Sequence, residues 1–304
     1  MLVGRFAPSP SGRMHLGNVF AALMAWCSVR SAGGKLLLRI EDLDPIRSYD
    51  AFAVQIRDDL RWLGLDWDEE QPPQSLRGEA YREALASLEA RGLIYPCYCS
   101  RSELHAVSAP HVADGSFFYP GTCRNLTDAQ RAEKKRSPAL RLIVPDETVG
   151  FDDLVQGHYE ENLARDCGDF ILRRSDGVCA YQLAVVCDDG AGGVTEVVRG
   201  ADLLSSTPRQ IYLLKLLGYS APRYGHVPML LAPDGRRLSK RDKDLDLGVL
   251  RARVTAPQLV GLLGHAAGLL DTPQAISAPE LAACFDWSRV HPAPIVVDPA
   301  KLEL

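Results

Sequence analysis

The sequence has no run of about 18 or more apolar residues, the length that a membrane-crossing helix needs. Its opening, MLVGRFAPSP, lacks the charged-then-apolar pattern of an export signal, so the cytoplasm is the expected compartment. A nucleophile elbow of the form G-x-S-x-G is missing. So are internal repeats and low-complexity segments. An excess of positive charge is missing too: 34 Lys and Arg stand against 39 Asp and Glu, a net charge of −5. A chain so balanced does not coat nucleic acid with its whole surface, although a local basic face on an acidic body is compatible with it.

What is present is an ordinary globular balance. Of 304 residues, 46% are hydrophobic and 24% charged, enough for a real core and, as a soft prior, about two domains. The eight cysteines are Cys27, Cys97, Cys99, Cys123, Cys167, Cys179, Cys187 and Cys284. They are scattered, apart from the cluster at 97–123. In a reducing compartment such a cluster reads as a metal site before it reads as a disulfide. The other five read as ordinary core or surface residues.

LVGRFAPS reads as a short strand running into a turn. The following HLGNVFAALMAWCSVRSAGG has helical spacing and closes on Gly33-Gly34, and KLLLRIED is an apolar run of strand length. Strand, loop, helix and strand within about 40 residues make a βαβ unit, the building block of parallel sheets. AFAVQIRDDLRWLGL and GEAYREALASLEARGL read as amphipathic helices closed by glycine. From Tyr95 to about Ser137, cysteine, proline, glycine and histidine crowd a stretch without a period, which reads as an inserted lobe. ALRLIVP, DFILRR and AYQLAVVCDD look like strands, STPRQIYLLKLLGY like a helix, and HVPMLLAPDGRRLSKRD like a strand with a polar loop. The remainder is expected to be helical, with a proline-containing tail.

Two loops carry chemistry. In GRFAPSPSGRMHLGN a strand feeds a helix through a Pro/Ser/Gly loop, which offers backbone N–H groups to a phosphate. Gly12 and Gly17 permit close approach, and His15 and Asn18 add donors beside it. The plain alternative is that His15 only caps or packs. In PDGRRLSKRD, Arg236, Arg237, Lys240 and Arg241 flank Ser239 after a glycine turn, a basic loop able to hold pyrophosphate charge. Alone, it would read as a solvated charge run.

Together these stretches resemble the class I aminoacyl-tRNA synthetases. PSPSGRMHLGN is similar to their HIGH motif, with His15-Leu16-Gly17-Asn18 in its places, and RLSKR (237–241) is similar to their KMSKS loop. RFAPSPSG, LLLRIEDLD, YQLAVVCDD, VVRGADLLSSTPRQ and HVPMLLAPDGRRLSKR follow the glutamyl-tRNA synthetase pattern in order across roughly residues 4–245. The resemblance implies an α/β fold: a Rossmann-type parallel sheet with an inserted zinc-containing lobe and a short C-terminal helical region. The expected division is 1–94 and 181–240 for the two halves of the catalytic domain, 95–180 for the inserted lobe and 241–304 for a helical, stem-contact-like region.

The resemblance also implies roles. Arg5, Phe6, Ala7, Pro8 and Ser9 would line an amino-acid pocket, with Arg5 facing the side-chain carboxylate of L-glutamate. Glu41 would take its ammonium, and Tyr181 and Arg199 would complete the pocket. His15, Gly17 and Asn18 with Arg237, Leu238, Ser239, Lys240 and Arg241 would bind ATP, which arrives with Mg2+; His15 and Lys240 are the expected catalytic pair. A dicarboxylic amino acid calls for guanidinium forks and one carboxylate, so the chemistry agrees. An arginine at position 5 disfavours glutamine, whose amide offers no charge partner.

Cys97, Cys99 and Cys123 supply three thiolates for a zinc site. Tyr119, His105 and His111 are candidates for the fourth ligand, and unaided chemistry favours a histidine. The resemblance favours Tyr119, because short relatives of glutamyl-tRNA synthetase carry C-x-C followed by Y-x-x-x-C. One structural zinc held by Cys97, Cys99, Tyr119 and Cys123 is therefore the expectation.

Few residues follow Arg241, fewer than an anticodon-binding domain would need. The resemblance is thus to truncated paralogues that activate glutamate without tRNA and pass it to queuosine at the wobble position of tRNA(Asp). Arg173, Arg174 and Arg251 are candidate cations toward the RNA, with solvated surface charge as the ordinary alternative. No membrane partner is expected, and a monomer is. The rivals are a short conventional glutamyl-tRNA synthetase charging the 3′ end of tRNA(Glu), and a regulatory module that kept the fold without catalysis.

Overall fold

The computed structural model describes residues 1–44, 46, 48–100, 102–103, 119–236 and 246–297. The chain opens with β1 (Val3–Phe6), α1 (Leu16–Ser31) and β2 (Lys35–Leu38), and β1 and β2 pair in parallel from Val3↔Lys35 to Phe6↔Leu38. α1 is buried on nearly every side, from Leu16 through Val29. It is a central helix, packed against the sheet on one side and against the C-terminal helices on the other. Gly33 ends it at φ +61, the left-handed conformation that glycine adopts without cost. After α2 (Asp50–Trp62), β3 (Glu69–Glu70) joins the far side of β2, and α3 (Gly78–Ala90) follows.

β4 (Ile94–Cys97), β5 (Ala139–Leu142) and β8 (Ile171–Arg173) form a small antiparallel sheet in the order β4-β5-β8, with α4 (Asp128–Ala132) between β4 and β5 in sequence. β6 (Thr148–Asp153) and β7 (Gly157–Asn162) make a hairpin that leaves this sheet and joins the large one, where β6 lies beside β10 (Arg223–Val227) and β10 beside β9 (Glu196–Gly200). The bond from Thr195 N to Val3 O, at 2.8 Å, sets β9 next to β1. The layer thus reads β3-β2-β1-β9-β10-β6-β7.

AYQLAVVCDD is not a strand: Tyr181–Ala191 is a helix, α5. Leu183 through Cys187 are buried against α3, β8 and α6 (Thr207–Leu216). A continuous apolar run of that length carries neither the period of 2 nor that of 3.6, so its residues alone do not separate a strand from a buried helix. The helix expected over STPRQIYLLKLLGY is α6, with Pro208 in its first turn.

β11 (Leu230–Leu231) precedes α7 (Leu247–Arg251), α8 (Ala256–Ala266) and α9 (Ala278–Ala283), and β12 (Ile295–Val296) returns to pair with β11. Trp287 Nε1 donates to Ser28 Oγ at 3.1 Å, and Ser28 Oγ donates to Glu196 at 2.5 Å, so the C-terminal segment is bonded through α1 to β9. None of the helices among the described residues is long and apolar enough to cross a membrane.

One carboxylate ties α2, the first loop and α7 together. Asp59, wholly buried on α2, accepts both forks of Arg13 at 3.2 and 2.9 Å and Nη1 of Arg251 at 2.7 Å. Arg251 is therefore engaged with acids of its own chain. Asp59→Ala is expected to cost about 2–3 kcal/mol, because both guanidiniums keep access to water and only part of the buried-pair penalty falls due. Denaturant unfolding measures it, and wild-type stability in the variant would refute the clamp.

Candidate active site

β1, β9 and β10 end at a cavity of about 480 Å³ that also receives the N-terminus of α1. The sheet changes direction here: β1 leads to β2 on one side, while β9 leads to β10 on the other. Ligand sites of open α/β sheets lie at such a switch point. Arg5, Phe6, Ala7, Pro8 and Ser9 line the cavity with Glu41, Tyr181 and Arg199, and so do His15, Gly17 and Asn18. Every expected pocket residue that the structure describes is thus brought to one place. Arg237, Leu238, Ser239, Lys240 and Arg241 lie outside the described residues. The described chain stops at Arg236 and resumes at Asp246, which bridges His15, while Leu247 N bonds Met14 O at 3.1 Å.

His15 caps the helix, as the plain reading of its loop expects, and also lines the cavity. It is the N-cap of α1, its Nδ1 accepting from Gly17 N at 3.1 Å, while Asn18 Oδ1 accepts from His15 N at 3.4 Å. A neutral imidazole whose Nδ1 accepts carries its proton on Nε2. Cap and cavity-lining donor are therefore one residue. Gly17 makes room for the ring, since a Cβ there would stand 3.1 Å from Cε1 and Nδ1.

Glu41 is set by backbone bonds that prolong the β1–β2 ladder, Arg39 N to Phe6 O and Glu41 N to Pro8 O, both 3.0 Å. Burial pushes its carboxyl above the usual carboxylate range, against the pull of Arg39 and Arg5. Arg39 is 1% exposed; its Nη2 donates to Glu41 at 3.1 Å, its Nη1 to Gln71 at 3.2 Å, and Nη1 lies 2.8 Å from Asp189. Arg5 donates from Nε to Asp189 at 3.3 Å and from Nη1 to Val198 O at 3.2 Å. Burial alone would raise the Asp189 carboxyl, yet Arg39 and Arg5 hold it below its ordinary value. Asp188, next to it on α5, accepts from Gln74, Arg77 and Tyr81.

Arg199 has a different setting. Nε donates to His226 Nε2 at 3.0 Å, Nη1 to Gln210 at 2.8 Å and Tyr181 Oη at 3.5 Å, and Nη2 to Thr207 at 2.7 Å. Sequence reasoning assigned no role to Arg39, Asp188, Asp189, His226 or Asp153. Two signals were there: an arginine after three leucines in KLLLRIED, and paired aspartates closing an apolar run.

The cysteine cluster lies apart from this cavity. Cys97, Cys99 and Cys123 place their sulfurs within 4.8 Å of one another, and three thiolates so arranged could hold a metal ion. Cys99 and Cys123 sulfurs are 3.6 Å apart, and Tyr119 Oη lies 3.4 Å from the Cys97 sulfur and 4.0 Å from that of Cys99. A tetrahedral centre with about 2.3 Å bonds to sulfur and 2.0–2.2 Å to oxygen has edges of about 3.5–3.8 Å. Burial, with the neighbouring thiols second, pushes the Cys99 thiol up to about 12. Tyr119 is held from behind by Gly168, whose φ is +65 and whose Cβ, were there one, would come 2.3 Å from Tyr119 O. Arg141 lies over the Tyr119 ring at 3.7 Å. His105 and His111 lie outside the described residues.

Residues 1–257 match the family model for tRNA synthetases class I (E and Q), catalytic domain. The glutamyl-Q tRNA(Asp) synthetase of Symbiobacterium thermophilum is 49% identical over 310 residues, covering 97% of this chain and 95% of that one. The protein of the same name from Nitratidesulfovibrio vulgaris is 51% identical over 283 residues, covering 89% and 87%. Among solved structures, a glutamate tRNA ligase from Elizabethkingia meningosepticum in complex with its amino acid superposes with a TM-score of 0.84 at 26% identity, over 99% of this chain and 68% of that one. With the residues of its first motif lining the cavity, a family model matched over residues 1–257 and curated relatives alike over 87–95% of their lengths, the chain belongs to the class I glutamyl- and glutaminyl-tRNA synthetase family.

Proposed function

We propose that this protein is a glutamyl-Q tRNA(Asp) synthetase, which activates L-glutamate with ATP and transfers it to the queuosine base of tRNA(Asp). The observation that carries this reading is the meeting, in one cavity, of Arg5, Arg199 and Glu41 with the His15-capped end of α1. Two guanidiniums and one carboxylate complement an amino acid with two carboxylates and one ammonium.

In the first step an α-carboxylate oxygen of glutamate attacks the α-phosphorus of ATP. The bond to the bridging oxygen breaks, and pyrophosphate leaves with the electron pair. The enzyme aligns the reactants and stabilises charge. Arg5 and Glu41 hold the amino acid, His15 offers its Nε2 proton to the phosphates, and Lys240 supplies a point cation from the basic loop. Mg2+ arrives with ATP as part of that substrate. In the second step a queuosine hydroxyl attacks the acyl carbon of glutamyl-adenylate and AMP leaves. The nucleophile comes from the RNA, in keeping with the missing serine elbow.

Cys97, Cys99, Cys123 and Tyr119 are the residues that would hold one structural zinc. The metal, when bound, cross-links β4 to the segment that carries Tyr119 and Cys123.

Label transfer from glutamate to two RNAs tests the reading directly. Transfer to queuosine-containing tRNA(Asp) that withstands periodate treatment of the 3′ end is the expected result. Periodate-sensitive transfer to tRNA(Glu) would make this a conventional synthetase. Glutamate KM is expected to rise as pH falls through the raised pKa of Glu41, by at most about tenfold per unit, since only the ionised carboxylate pairs with an ammonium. Glu41→Gln should abolish that dependence; an unchanged KM profile in the variant would remove Glu41 from the ammonium site. Chelation of zinc should lower the melting temperature and release one equivalent of metal, and a protein isolated without metal, with an unaltered melt, would count against the zinc site.

A further inference from the structure

Arg199 stands out among the buried arginines of the site. It is 6% exposed, yet among the described residues it forms no ion pair with a carboxylate, whereas Arg5 and Arg39 both pair with Asp189. Its hydrogen-bond acceptors are all neutral: an imidazole nitrogen, an amide oxygen, a hydroxyl, a phenol and the carbonyl of Leu203. A guanidinium taken out of water without a counterion is costly. Such an arrangement suits a charge that a ligand completes.

The imidazole is the unusual member. His226 is wholly buried on β10, in register with Arg199 on β9. Its Nε2 accepts from Arg199 Nε at 3.0 Å, so its proton is on Nδ1, and Nδ1 donates to Asp153 Oδ2 at 2.6 Å. Asp153, with no exposed side-chain surface, is fixed in turn by the backbone N–H groups of His226, Val155 and Gln156. The hydrogen bond made by the far nitrogen selects the tautomer. A carboxylate in the place of His226 would hold Arg199 equally well and neutralise it. The imidazole holds it and leaves its charge unspent.

We infer that His226, fixed in the Nδ1–H tautomer by Asp153, is a positioning residue that holds Arg199 in the pocket as an uncompensated cation for a carboxylate of the amino-acid substrate. This rests on the reading of Arg199 as a substrate-binding residue, and it adds what aims that residue and keeps it charged.

Four variants in glutamate-dependent ATP–pyrophosphate exchange test it. Asparagine at 226 can donate to Asp153 but is too short to accept from Arg199, whereas glutamine presents its oxygen near the place of Nε2. His226→Asn is expected to raise glutamate KM about 10–100-fold with ATP KM within about twofold, and His226→Gln to recover most of that loss. Asp153→Asn lets an amide donate to Nδ1, which turns an N–H toward Arg199; it should raise glutamate KM about tenfold while its melting temperature tracks that of His226→Gln. Equal loss in both His226 variants, or an ATP KM that rises in step with that for glutamate, would reduce the pair to a structural role and overturn the inference. Arg199→Gln is the control. If it leaves glutamate KM unchanged, the pocket reading falls and this inference with it. If it raises glutamate KM while His226→Asn and Asp153→Asn do not, this inference alone falls.

Discussion

The buried guanidinium of Arg39 is the constraint around which the rest of the site is arranged. It lies at the end of β2, 1% exposed, and must find acceptors without water. Those acceptors come from three directions: Glu41 beyond the strand, Gln71 after β3, and Asp189 at the end of α5. Satisfying one cation therefore fixes where the first βαβ unit meets the helix that follows the inserted segment. It also fixes the wall of the cavity proposed to take the amino acid, because Glu41 and the partner of Arg5 are both members of the network. Buried ion pairs are poor sources of stability compared with apolar packing. Their presence here is better explained by geometry than by strength: the pocket needs charges of both signs at set places, and a network holds them there.

How much of this could be seen in the residues depends on range. Elements with a clear period and a stop signal were legible. Both GEAYREALASLEARGL and AFAVQIRDDLRWLGL formed the helices their spacing suggested, each followed by a glycine at positive φ. The loop at 4–23 was legible because strand, turn and helix are adjacent in sequence. AYQLAVVCDD was misread, since burial on all sides erases the period that tells helix from strand. Long-range polar partners were not legible at all. Nothing local in RIED connects Arg39 to Asp189, and nothing in YGHVP connects His226 to Asp153. Such pairs are created by the sheet order, which a pattern of apolar residues does not encode.

His15 illustrates why a structural and a functional reading need not compete. Capping a helix and meeting a phosphate both require a polar side chain at the same N-terminus, and the cap bond at Nδ1 settles which nitrogen keeps the proton. The C-terminal helices serve the same end from outside. Asp246, against His15, caps α7, and Asp59 joins Arg13 to Arg251 beside it. Asp246, where the described chain resumes after the basic stretch, is thereby built into the packing of the catalytic half.

The placement of β9 against β1 also bears on the birth of the chain. Val3 and Thr195 bond across 192 residues of sequence. At ribosomal rates of about 5–20 residues per second, β1 and the apolar α1 wait about 10–40 s for the strand that will lie beside them. During that interval the nascent chain displays an unpaired strand edge and a helix that is apolar nearly all round. Such a segment is a natural client for a holding chaperone, and its vulnerability is set by translation speed rather than by the stability of the finished protein.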